Sequence, residues 1–166
     1  MIPRTRSIRS SRRAKLALTP IVGAVDESRA MHDLDAIVDA VKKRYAIRVR
    51  RWRRSMTGCA WRVWFSDGRS INWIEAPRPR TPLSLAIFLH EVGHHAIGFD
   101  TYKLRCEEEL AAWRWAIEEM RRLGVEPDAR TLDRFNRSMQ YAMGKAMRRG
   151  IKRIPDQLQE FVPQAA

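Results

Sequence analysis

Cysteine is nearly absent: the 166 residues include only Cys59 and Cys106. Two thiols exclude a disulfide framework and a Cys-x-x-Cys zinc ribbon. Each is expected to be a small buried hydrophobe, in a reducing, cytoplasmic compartment. Long apolar runs are missing as well. None approaches the roughly 18 residues of a membrane-spanning helix, so no membrane partner is expected. Internal repeats are absent, and the first fifteen residues contain no acid at all. Residues 1–20 therefore read as a basic disordered tail. An arm for nucleic acid or an acidic partner, or an Arg- and Ser-rich transit peptide, are its other readings. No apolar segment marks a secretory signal there.

What is present suits one globular domain. Hydrophobic residues make up 45% of the chain, with six Trp, five Phe and three Tyr. Lys and Arg outnumber Asp and Glu by 32 to 19, a net charge of +13. Such a balance attracts polyanions or an acidic protein surface and says nothing about fold. We expect a single domain over residues 21–154 and a C-terminal tail over residues 155–166.

Hydrophobic spacing predicts a helix from Asp26 to about Ala46, with Met31, Leu34, Ile37, Val38 and Val41 on one side. Ile47–Trp52 and Cys59–Phe65 alternate like half-buried strands. Ser66-Asp67-Gly68-Arg69 carries the Asp-Gly hairpin signal, and Ser70–Ile74 is the returning strand. These predict a small three-stranded antiparallel sheet. Thr81 suits an N-cap and Pro82 the first turn of a helix that stops at Gly98. Apolar residues surround that helix almost completely, so it should be buried and central. Two further helices are expected, over Glu107–Leu123 and Ala129–Arg149. The stripe Leu132, Phe135, Met139, Met143 and Met147 on the last reads as core. The order helix, strands, helices gives an α+β fold, with helices on both sides of the strands in sequence.

The chemistry lies in the central helix. His90-Glu91-Val92-Gly93-His94 is an H-E-x-x-H motif. Residues i and i+4 share a helical face, so both imidazoles can reach one Zn²⁺. Glu91 sits beside that position, where it can act as general base toward a water acidified by the metal. Two histidines and a glutamate in a buried helix are costly unless they find partners, and a metal ion is the simplest common one. His95 points to another face and reads as a surface or packing residue.

A catalytic zinc site usually takes a third protein ligand. No His follows His95. His32 is distant, and Glu107, Glu108 and Glu109 open the next helix.

HEVGHH followed by EEELAAWRWA resembles the gluzincin metallopeptidases, and within them the ImmA/IrrE family. That family follows its H-E-x-x-H helix with a glutamate in a pattern like E-x-E-A-x-x-F-A. Glu109-Leu110-Ala111-Ala112-Trp113-Arg114-Trp115-Ala116 matches in its first Glu, its Ala and its aromatic-Ala end, while Ala111 stands where the second Glu would be. The resemblance covers about His90–Ala116. It implies a zincin-like fold and an intracellular zinc metallopeptidase. In the phage and mobile-element setting of such proteins, the substrate would be a helix-turn-helix repressor. The SprT-like group, also basic, usually adds a third His and a zinc ribbon, both missing here. The alternative function is a basic binding module for nucleic acid or protein, with a structural or idle zinc site. Tyr102 and Tyr141 are candidate transition-state phenols.

Helical geometry selects among the glutamates. At 100° per residue from Leu110, Trp113, Ala116, Ile117, Met120 and Leu123 fall between about 220° and 340°. Glu109 falls at about 260°, inside that apolar stripe, with Glu108 at about 160° and Glu107 at about 60°. An inward carboxylate needs a charge partner. Glu109 is therefore the expected third ligand, with His90 and His94. The family pattern places its glutamate at the same residue. A one-residue kink at the helix start would substitute Glu108.

Overall fold

The computed structural model describes residues 27–163, with side chains from residue 34. The expected basic tail lies outside the described residues, and the side chain of His32 outside the described side chains. Helix α1 (Glu27–Arg44) leads into strand β1 (Ile47–Arg53). Strands β2 (Cys59–Trp64) and β3 (Ser70–Pro77) follow, then helices α2 (Pro82–Ile97), α3 (Arg105–Arg122) and α4 (Ala129–Arg148). A short 3-10 helix, Asp156–Phe161, ends the described chain.

The fold is α+β, but the sheet is mixed rather than antiparallel. Its order is β1-β3-β2, with β3 in the centre. β2 and β3 form the hairpin expected from Asp67-Gly68, with Gly68 at φ 82°. β1 instead runs parallel to β3. Its link to β2 crosses to the far edge, so that the hairpin's return strand enters beside β1. Alternation reveals which residues share a face. It does not reveal which strand neighbours which, and this is why the sequence reading erred.

One sheet face carries Ile47, Ile74 and Ala76, all buried. α2 packs against this face and α3 packs beyond it. Thr81 caps α2, its hydroxyl accepting from the Ser84 amide, while the Ser84 hydroxyl accepts from the Thr81 amide. Gly98 ends the helix at φ 83°, a backbone state that favours glycine. Every residue from Ser84 to His95 is buried. Leu85, Phe88, Leu89 and Val92 are fully enclosed, each contributing roughly 1.5–3 kcal/mol. Those apolar neighbours hold the ionisable side chains of the same helix out of water.

Two expectations about the C-terminal part need correction. Met139 and Met143 are core residues, but Met147 is 43% exposed and Leu132 40%. Steps of four residues drift about 40° each around a helix, which carries Met147 off the α3 interface. The segment from 155 is also not a free tail, since Leu158 and Phe161 are buried. The Phe161 ring lies 5.6 Å from that of Phe135 on α4.

Candidate metal centre

α2 and α3 approach closely because of two small residues. A Cβ at Gly93 would lie 2.9 Å from the Ala112 carbonyl oxygen and 3.1 Å from Trp115 Cε3. With glycine there, the first turns of α3 lie against the histidine face of α2. Glu109 Oε2 stands 3.2 Å from His90 Nε2 and 3.9 Å from His94 Nε2. The three donor atoms lie within 4.8 Å of one another, so His90, His94 and Glu109 could hold a metal ion. Donors around one tetrahedral ion are spaced about 3.3 Å apart, and this cluster is close to that size.

The protonation states suit metal binding. Burial lowers the His94 pKa to about 3, with the charge of His90 adding to it, so His94 is neutral at pH 7. Burial alone would raise the Glu109 carboxyl. The His90 hydrogen bond and the neighbouring His90, His94 and Arg105 outweigh it and bring Glu109 to about 2. A neutral imidazole and an anionic carboxylate are the ligand forms a divalent ion requires.

Glu108 has a different task from Glu109. His94 Nδ1 donates to Glu108 Oε1 at 2.9 Å, which fixes the ring with Nε2 toward Glu109. Arg105 donates through Nη1 to Glu108 Oε1 at 2.6 Å and through Nε to Glu109 Oε1 at 3.0 Å, tying both carboxylates to one guanidinium. The indole of Trp113 stacks on His90 at 4.4 Å. His90 Nδ1 has no hydrogen-bond partner among the described residues. These supporting contacts were not legible in the sequence. The only hint of Glu108 was its adjacency to Glu109.

Glu91 projects from the same helix toward the loop before β2. Gly58 makes room for it: a Cβ there would lie 2.4 Å from Glu91 Oε1. Burial raises the Glu91 carboxyl to about 7, against a lowering by His90. A carboxyl poised near neutrality can both take and return a proton. His90, Glu91 and Glu109 line one cleft of about 770 Å³, bounded across from them by α4.

The other candidates separate. His95 is buried and faces the sheet, its Nε2 3.1 Å from the Trp73 carbonyl oxygen, so it is a packing residue. Tyr141 lines the cleft. Tyr102 lines a separate depression with Ile97 and Glu107, away from the centre. Cys59 and Cys106 are both free thiols; Cys106 is buried and Cys59 half-buried. Among the described residues no helix is long and apolar enough to cross a membrane. No protein-family model, no curated protein and no solved structure matches this chain.

Proposed function

We propose that the chain is a zinc-dependent metalloendopeptidase with a zincin-like arrangement of sheet and α2. The observation that carries this reading is that the donor atoms of His90, His94 and Glu109 meet at the wall of an open cleft lined by His90, Glu109 and the buried carboxyl of Glu91. His90, His94 and Glu109 would hold the ion and leave a position toward the cleft. Zinc bound there would supply Lewis acidity and bring the pKa of a water at that position to around 7.

The chain's own residues do the rest. Glu91 takes a proton from the attacking water and later returns it to the leaving amine nitrogen. Its carboxylate, with room at Gly58 and a place on the cleft wall, serves both directions. Glu108 and Arg105 hold the ligands in orientation. Tyr141, the phenol in the cleft, is the candidate donor to the developing oxyanion. The resemblance to the ImmA/IrrE family adds the substrate class, a repressor protein in the cytoplasm.

The test has two parts. Purified protein should carry zinc in a one-to-one ratio, lost on changing His90, His94 or Glu109. Glu91→Gln should keep the zinc and lose cleavage of an unfolded protein substrate by about 10²–10⁴ or more. Full cleavage by Glu91→Gln would refute the mechanism. Stoichiometric zinc with no cleavage by the wild type would favour a binding module with an idle site.

A further inference from the structure

The metal centre occupies one wall of its cleft, and the facing wall is cationic. On α4, Arg134, Arg137, Tyr141 and Lys145 fall within about 80° around the helix. Arg149 follows just past the helix end, and all five line the cleft. Lys103 and Arg105 border it from the side of α3. Six cations thus face a space whose lining carboxylates are Glu91 and Glu109. Arg105 and Arg137 have acidic partners within the fold. Lys103, Arg134, Lys145 and Arg149 have none among the described residues. Arg134 donates through Nη2 to the Met56 carbonyl at 2.9 Å, closing one end of the cleft against the β1–β2 loop. Its Nε is buried with no acceptor among the described residues.

A row of unneutralised cations repels itself and becomes favourable once an anionic chain lies across it. We propose that the cleft binds an acid-rich polypeptide segment, extended along α4, with Lys145 and Arg149 making the discriminating contacts. This rests on the hydrolase reading for what happens at the metal. From Arg134 to Arg149 the wall rises about 22 Å at 1.5 Å per residue. That length matches six or seven residues of extended chain. Between the cations the lining is aliphatic, with Ile87, Leu104, Ala142 and Ile151, which suits side chains alternating with carboxylates. A single-stranded nucleic acid would want successive free aromatic faces. Trp113, the cleft's indole, is 2% exposed and already stacked on His90, which leaves Tyr141 alone.

The test uses full-length, zinc-loaded Glu91→Gln protein and three labelled probes. These are a Glu/Ala peptide and a Lys/Ala peptide of about twelve residues, and a dT oligonucleotide of about that length. Fluorescence anisotropy should show the acidic peptide binding at least about tenfold more tightly than the basic one, less so at high salt. Adding Lys145→Glu and Arg149→Glu should abolish or invert that order with Tm and zinc content unchanged. If the double variant does not fold, Lys145→Ala and Arg149→Ala, both at exposed positions, should each weaken the acidic peptide alone. Equal binding of both peptides, or an acid preference that survives these substitutions, would overturn the inference. So would an oligonucleotide that binds more tightly and displaces the acidic peptide. Wild-type cleavage indifferent to substrate charge would overturn it and leave the hydrolase reading standing. Acidic-peptide binding without any cleavage by the wild type would do the reverse.

Discussion

Gly93 is the unassuming position of the H-E-x-x-H segment, and it controls how near α3 comes to α2. An alanine Cβ there would lie 2.9 Å from the Ala112 carbonyl oxygen, 3.1 Å from Trp115 Cε3 and 3.3 Å from Ala112 Cα. Two of those three atoms are backbone and cannot rotate aside, so α3 must retreat by roughly half an ångström. Two effects then oppose each other. Alanine in a helix interior gains about 0.8–1 kcal/mol over glycine. Overpacking costs about 1–3 kcal/mol. The second is larger, and Gly93→Ala should lose about 1 kcal/mol of stability. It should also weaken metal binding about tenfold or more, because α3 carries Glu109 while both histidines ride on α2. Gly144 on α4 supplies the control. A Cβ there meets only Arg148 Nη1 at 3.4 Å and Pro163 Cγ at 3.8 Å. Gly144→Ala should therefore gain about 0.5–1 kcal/mol and leave the metal alone. Urea unfolding of the metal-free proteins and zinc competition with a chromophoric chelator measure both quantities. If Gly93→Ala stabilises as Gly144→Ala does and holds zinc like the wild type, close helix approach is not what assembles the site.

Three further outcomes follow from the same contacts. Glu108→Gln should weaken zinc binding about 10–100-fold by removing the charge that orients His94, and Glu109→Gln should weaken it more; equal affinities in Glu108→Gln and wild type would refute the division of roles. Gly58→Ala places a Cβ 2.4 Å from Glu91 Oε1, so turnover should fall about 10²-fold at unchanged zinc stoichiometry, as measured on one peptide and by metal analysis. In metal-free protein the Glu91 carboxyl lies near 7 in the fold against 4.5 unfolded, so the folded state binds the extra proton and stability falls as pH rises from about 4.5 to 7. Glu91→Gln should remove that fall, gaining on the order of 3 kcal/mol at pH 8 and nothing at pH 4 by chemical denaturation; parallel stability curves for the two proteins would refute it.

Periodicity made the helices legible because each buries a recognisable side. Leu34, Val38 and Val41 face the core on α1 as their spacing requires. Thr81, Pro82 and Gly98 marked α2 because capping is local chemistry. Helical spacing placed Glu109 beside the histidines, but it missed that Glu108 is the more deeply buried of the two. Strand order was not legible, since nothing in Ile47–Arg53 distinguishes a parallel from an antiparallel neighbour when one face is buried either way. The Glu108–His94 and Glu91–Gly58 contacts were invisible too, because they join residues from elements whose mutual approach only packing decides. The segment Asp156–Phe161 was misread because two apolar residues in six make too weak a pattern to signal docking.

The four ionisable residues of α2 share one burial and differ in what compensates it. His95 bonds the Trp73 carbonyl, His94 bonds Glu108, and His90 meets Glu109. Each of those partners lies on β3 or α3, so the surrounding fold fixes each ring in place. Glu91 faces Gly58, a residue with no side chain to offer, and no donor among the described residues reaches its carboxylate. Desolvation, with Glu109 adding to it, then outweighs the lowering by His90, Arg105 and Arg53, and the Glu91 carboxyl rises to about 7. A desolvation penalty that its neighbours do not cancel destabilises the fold, and it is also the condition under which a carboxyl exchanges protons near neutral pH. Within the motif, the neighbours therefore set the histidines and Glu91 apart: β3 and α3 hold the rings, and the gap at Gly58 leaves Glu91 uncommitted.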